Sequence, residues 1–296
     1  MIKQNPFSIY DFLGYFIPGA LVIYIFLILF SSSSFENFNS IFTVVGNNKI
    51  LDFDNILFFV IVSYALGHLI NFSSSITIER YANWKYNYPS KYLMDLVPDH
   101  KYWTGPRKIK VWKGFLSILI FPVSISDYIL GEVFSFKAFY TRKADSFIIE
   151  MVKSKGLILL NKLGAPWTKS LREYDFHRIF SHYVYENSKN HQSKMNNYVT
   201  LYGFLRSLCF ISVIFCWFLV YKLYNIFKYD PIFSNFQDFK NLLFTIIILG
   251  LCSYLFFMAF MKFYRRYTLE ALMLIVIDPT LKDNFNEPKI LVEKLN

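Results

Sequence analysis

Apolar residues in this chain come in four long blocks rather than in the alternation of a strand or the single stripe of a surface helix. Residues 11–31, 55–72, 201–225 and 241–263 carry almost no charge. Each is about long enough to cross a ~30 Å hydrocarbon layer as a helix. A block that is apolar all round has no polar face to turn to water. The pattern therefore predicts a mainly α-helical integral membrane protein with four transmembrane helices in two hairpins. Residues 1–10 form a tail, 32–54 and 226–240 are extracytoplasmic loops that each close one hairpin, 73–200 form a basic, mostly helical domain between the hairpins, and 264–296 form a second tail. Gly14, Pro18 and Gly19 interrupt the first block, which a span tolerates when neighbouring helices satisfy the freed backbone.

Two patterns stand out inside the long middle segment. Arg107 to Lys113 alternates basic residues with Ile109, Val111 and Trp112, then leads into an apolar run from Phe115 to Ile125 that holds Pro122. That run is too short to cross a membrane. With Pro122 inside it, it reads as an interfacial or re-entrant piece or a buried core element, and the first choice is an interfacial anchor over 107–125, in which Arg107, Lys108, Lys110, Trp112 and Lys113 supply the basic and aromatic partners of a membrane surface. Farther on, Phe176, Ile179, Phe180 and Tyr183 recur at i, i+3, i+4 and i+7, which predicts an amphipathic helix over 175–185.

Charge sets the orientation. The segment 73–202 holds nineteen Lys and Arg against ten Asp and Glu, so it carries nearly all of the net charge of +10. Basic residues gather on cytoplasmic flanks, and Arg80 and Lys85 after the second block agree with Arg265 and Arg266 after the fourth. Both termini and the middle domain are thus expected in the cytoplasm. The first block reads as an uncleaved helix, because only Lys3 precedes it and no small-x-small cleavage site follows. Composition fits: 54% of residues are hydrophobic and mean hydropathy is +0.32.

Ionisable residues at membrane depth are candidate functional groups. His68 and Arg206 are the two that qualify, both toward the inner leaflet, and the blocks hold no acid in their middle. Helix glue with snorkelling and a polar vestibule at the inner mouth are both open to this pair. Cys209, Cys216 and Cys252 fall within blocks and read as packing residues. His177 and His182 are five apart, which puts them on different faces of a helix, so no metal site is expected. No phosphate-binding loop, dinucleotide fingerprint or nucleophile elbow occurs. No catalytic residue, metal or cofactor is therefore expected, and an enzyme would have to gather dispersed groups such as Asp95, Asp99, His100 and Asp175.

Four stretches carry a resemblance: SIYDFLGYFIPGALVIY, SYALGHLINFSSSI, HYVYENSKNHQSKMNNYVTLYGFLRSL and MKFYRRYTLEAL. They are similar to a loose group of bacterial four-pass inner-membrane proteins, some of them accessory or effector components of anti-phage defence loci. The likeness covers the spans and their inner flanks and transfers no active-site residue. It implies an inner-membrane effector that acts by oligomeric membrane perturbation or pore formation under the control of its cytoplasmic domain. The alternative is a non-conducting anchor or sensor. The expected partners are anionic lipid headgroups, further copies of the chain, and a cytoplasmic protein or nucleotide, with nucleic acid as a further anionic possibility.

Overall fold

The computed structural model describes residues 11–31, 53–96, 102–164, 175–229 and 236–281, and it is mainly helical with no strand among them. A π turn, Phe12–Phe16, runs into α1 (Ile17–Ser31). Helix α2 (Phe53–Ser74) continues through a second π turn, Ser75–Glu79, into α3 (Arg80–Tyr86) and is followed by α4 (Pro89–Leu93). Next come α5 (Arg107–Leu119), α6 (Phe121–Ser126) and a third π turn, Asp127–Val133. Helices α7 (Ser146–Lys162), α8 (Phe176–Asn187), α9 (Gln192–Tyr229) and α10 (Phe236–Ile277) follow.

Among the described residues three helices are long and apolar enough to cross a membrane: Ile56–Leu93, Lys189–Lys228 and Phe239–Ile277. The bent pair α5 and α6 makes a fourth if it is counted as one span, and Phe12–Leu27 is a shorter apolar helix. Most of the expected connection 32–54 lies outside the described residues, as do 230–235 and the tail from 282. Helix α9 starts well before the apolar block at 201, and α10 runs on past its end at Phe263. Hydropathy falls at the first charges there, but the backbone hydrogen bonding does not stop.

The chain divides into two compact units. Unit 1 takes Met1–Ala82, Gly105–Lys137 and Thr200–Phe260, and unit 2 takes Asn83–Thr104, Ala138–Val199 and Met261–Asn296. The segment expected as one domain over 73–200 is therefore shared between them.

Unit 1 wears its apolar side chains on the outside. Phe58, Phe72 and Phe244 are 69%, 64% and 64% exposed, and Ile61, Leu69, Ile247 and Leu255 also face outward. Inside, small residues let backbones approach. A Cβ on Gly19 would drive into the Ser63 carbonyl, and one on Gly67 into the Tyr15 carbonyl. Close crossings through small residues are how helices associate where lipid is as apolar as the side chains.

Unit 2 has the opposite construction. Its core gathers Leu93, Met94, Val152, Phe180, Leu272 and Ile275 from several helices. Helix α8 buries Phe176, Phe180 and Val184 and keeps Ile179 and Tyr183 half-buried, the face expected from its spacing. Gly156 of α7 leaves the room that the Phe180 ring fills. The Asp145 side chain caps α7 by accepting from Phe147 N at 2.9 Å.

The close crossing gives a direct test. Gly19→Ala and Gly67→Ala are each expected to destabilise the detergent-solubilised protein by about 1–3 kcal/mol, the usual range for overpacking. Gly203→Ala, whose added Cβ would meet nothing within 4 Å, is expected to melt at or above the wild-type temperature. Equal melting of all three variants would rule the crossing out.

Candidate functional site

The polar centre of unit 1 is built around Arg206 on α9, which is 7% exposed. Its Nε donates to Ser74 Oγ at 3.2 Å, and Nη2 donates to Asn71 Oδ1 at 2.6 Å and to the Asn71 carbonyl at 3.3 Å. Nη1 forms an ion pair with Glu79 Oε2. Ser74 Oγ in turn donates to the Asn71 carbonyl at 2.8 Å. The guanidinium fork thus spends its donors on one face of the helix that starts as α2.

The π turn makes that face possible. On an unbroken α-helix Glu79, eight residues after Asn71, would stand about 80° away from it. Absorbing one extra residue between Ser75 and Glu79 returns it to within about 20° of Asn71, as a residue at i+7 would stand. Asn71, Ser74 and Glu79 then line up toward one guanidinium.

A second polar point lies in the same unit. Asp127 is fully buried and its Oδ2 accepts from the Tyr81 hydroxyl at 3.0 Å. Gly131, one turn on, has no Cβ, and one placed there would lie 2.5 Å from Asp127 Oδ1 and 3.1 Å from the Tyr254 hydroxyl. The missing side chain is what gives the carboxylate its space. Among the described residues no three His, Cys, Asp or Glu side chains converge as metal ligands.

The residues expected from the sequence fall in different places. His68 stacks on Tyr15 with centroids 3.9 Å apart and meets Tyr64 edge-on at 4.7 Å, so it and Arg206 have separate sets of partners. Arg107, Lys108, Lys110 and Trp112 are exposed, but Lys113 is buried on the inner face of α5 at 4% exposure. An anchor can therefore use the first four and not Lys113. Arg265 Nε donates to the Arg142 carbonyl at 2.8 Å, and Arg266 lies over the Phe263 ring at 5.6 Å. Glu79 and Asp127, which read as two of ten scattered acids, are the residues that sequence reasoning missed. Compared with known proteins, the chain matches no protein family, no curated protein and no solved structure.

Unit 2 carries its polar groups at helix ends. Lys155 Nζ donates to the Val276 carbonyl at 2.5 Å and the Asp278 carbonyl at 2.9 Å, and Lys162 Nζ to the Thr280 carbonyl at 3.1 Å. Ammonium groups there satisfy carbonyls left over at the C-terminus of α10 and complement its dipole. Burial alone would raise the Asp278 carboxyl. Hydrogen bonds from Tyr183 and Thr280, with Lys155 nearby, hold it below the usual carboxylate value instead. A recess beside this end is lined by Asn187, Lys189, Asn190, His191, Asp278 and Thr280. His177 on α8 has a buried Nε2, and burial drives its pKa down to about 4 against the opposing pull of Asp175.

Arg206→Met alone strands Glu79 and is expected to cost about 3–5 kcal/mol, as is usual when one partner of a buried pair is removed. Arg206→Met with Glu79→Leu is expected to recover most of that loss in a double-mutant cycle of melting free energies. Additive losses would show that the two side chains are not coupled. For His177 the folded value of about 4 lies below the unfolded value of about 6.5. The unfolded chain therefore takes up the proton first, so this contribution is complete above pH ~6.5 and is lost as pH falls toward 4. His177→Asn is expected to flatten the stability profile across that window by about 1–3 kcal/mol. An unchanged slope would count against a buried neutral imidazole.

Proposed function

We propose that the chain is a four-pass inner-membrane protein whose unit 1 is the membrane part and whose unit 2 is a cytoplasmic helical domain that recruits a partner. The order of the chain through the two units carries this reading. The helix that includes α2 and α3 runs from unit 1 into unit 2 at Asn83, α9 leaves unit 2 at Thr200, and α10 returns to it at Met261. Three long apolar helices each have one end in the same folded unit. A bilayer puts such a unit on one face, and the basic excess of the intervening chain names the cytoplasmic one. The first span then enters from the cytoplasm over 11–31, and both termini lie there.

The membrane part acts as an anchor. Glu79 and Arg206 neutralise each other inside it, and Asp127 is held by Tyr81. Intramembrane charges that serve transport face a pathway or a water-filled cavity, whereas these are occupied by neighbouring helices. The partner of unit 2 is a protein or an anionic small molecule, for which the recess with Lys189 and His191 is the natural seat.

The 95° bend between α5 and α6 favours a second reading. Broken helices at membrane depth line cavities in channels and transporters. In that reading several copies assemble and unit 2 triggers opening or disruption of the bilayer, as the likeness to defence-linked four-pass proteins implies.

Reporter fusions and flux measurements separate the outcomes. Alkaline phosphatase fused after Asn235 is expected to be active and after Asn296 inactive, and liposomes holding the purified chain are expected to keep a potassium diffusion potential. Dissipation of that potential in proportion to protein would shift support to the effector reading. An active phosphatase after Asn296 would overturn the topology on which both depend.

A further inference from the structure

We infer that residues 105–137 form a re-entrant hairpin that enters the bilayer from the cytoplasmic side and returns on the same side, with the basic first turn of α5 seated on anionic phospholipid headgroups. The inference rests on the reading of unit 1 as the membrane part, and it takes the re-entrant form over the interfacial anchor preferred from sequence.

Connectivity supplies the first argument. The residues before and after this segment belong to the same folded unit and are fastened together. Ala144 N donates to the Leu93 carbonyl at 3.1 Å, the Tyr92 hydroxyl to the Tyr140 carbonyl at 3.2 Å, and Lys143 Nζ lies 2.7 Å from Asp95 Oδ1. The Tyr86 and Tyr140 rings meet edge-on at 5.5 Å. A segment whose two ends are tied to one unit has to leave and return on one face of a bilayer. It cannot be a span, even though α5 and the helical stretch Phe121–Val133 are together apolar enough to pass for one.

The backbone at the bend supplies the second. Helix α5 stops at Leu119, and Pro122 in the first turn of α6 has no N–H to offer the preceding carbonyls. Protein groups take the place of water there. The Trp217 indole N–H donates to the Leu119 carbonyl at 2.7 Å, and Ser124 Oγ donates to the Ser117 carbonyl at 2.8 Å. Phe121 packs edge-on against the Trp217 ring at 5.0 Å. A helix break inside hydrocarbon needs this kind of internal satisfaction, since each orphaned carbonyl would cost several kcal/mol.

Polarity supplies the third, because on the outward face of α5 it runs along the helix. Arg107, Lys108 and Lys110 crowd the first turn, where Pro106 offers no side-chain cap and no acid is present. Beyond them the outward face is Val111, Trp112, Phe115 and Ile118, each 56% to 65% exposed, and the opposite face of Lys113, Leu116 and Ile120 is buried. A helix lying flat keeps a polar flank along its whole length. One that enters end-on keeps it at the mouth. Cations at a helix N-terminus oppose the dipole, so headgroup phosphate relieves a repulsion as well as pairing with the side chains. The second limb comes back through exposed Ile125, Tyr128 and Ile129 to Glu132, Phe134 and Lys137.

Spin labels on the full chain test the hairpin. Labels at Lys108→Cys, Ile118→Cys and Phe134→Cys, with Cys209, Cys216 and Cys252 changed to Ala, are expected to report shallow, deep and shallow positions in phosphatidylcholine–phosphatidylglycerol vesicles. An impermeant broadening agent is expected to reach 108 and 134 from the same side. Three equally shallow labels, or access to 108 and 134 from opposite sides, would overturn the hairpin. The headgroup seat is tested with the native cysteines in place, by the preference of the protein for spin-labelled phosphatidylglycerol over phosphatidylcholine. Replacing Arg107, Lys108 and Lys110 by Gln is expected to lower that preference by roughly five-fold per charge, the factor that ~1 kcal/mol per basic residue implies. An unchanged preference, or one abolished by added oligonucleotide, would overturn the lipid assignment. Carbonate extraction keeps the two readings apart: release of the wild-type chain from vesicles sinks the membrane reading itself, while retention with a failed label pattern sinks only the hairpin.

Discussion

A guanidinium enclosed by apolar helices has no water to fall back on, and every donor it carries has to find a protein acceptor. Arg206 finds them in Asn71, Ser74 and Glu79, and much of unit 1 follows from that demand. The three acceptors belong to one helix and the arginine to another, so the network fixes both their separation and their register. It also fixes the helix geometry between Ser75 and Glu79, because without the π turn the carboxylate would point elsewhere. Such a pair adds little net stability over a well-packed apolar substitute, and its physical effect is to make alternative packings costly. Apolar helices in lipid have few other means of choosing one partner face.

The glycine crossing at Gly19 and Gly67 does the complementary work. Dispersion gains little from a specific pairing unless backbones come close, and here two carbonyls occupy the space where side chains would begin. Close approach then orders the surrounding rings, with Tyr15 stacked on His68 and edge-on to Tyr64. His68 belongs to this aromatic packing. Gly19, which interrupts the first apolar block, is therefore part of the packing code rather than a weak point in a span.

The apolar blocks were legible in the sequence because a helix without a polar face leaves no other solvent than lipid or a deep core. Helix α8 was legible for the opposite reason, since its core-facing residues recur with the helical period. The element expected over 107–125 takes in α5 and all but the last residue of α6, but the inward turn of Lys113 did not show, as four basic residues in seven look alike until one is packed. Glu79 and Asp127 were hidden by distance along the chain. Glu79 is 127 residues from Arg206 and stands at a spacing of eight from Asn71, which matches no helical face until the π turn is known. The division of 73–200 between two units was hidden too, because both parts are basic, helical and similar in hydropathy.

The basic excess of the middle segment is less uniform than its count suggests, and this bears on what it can attract. In unit 2, Lys155 and Lys162 are occupied by the carbonyls that end α10, Lys194 by Glu270 and Lys143 by Asp95, while Arg265 holds the Arg142 carbonyl. Charges used in this way still add to the long-range field, but their donors are committed and their displacement would cost internal bonds. In the first turn of α5 the arrangement is reversed. Three exposed cations stand together at a helix end that already carries positive partial charge, beside apolar side chains turned outward. Among the described residues field and geometry agree best there, so an extended anionic surface gains most at residues 107–110, whereas Lys143, Lys155, Lys162 and Lys194 are taken up by partners within unit 2.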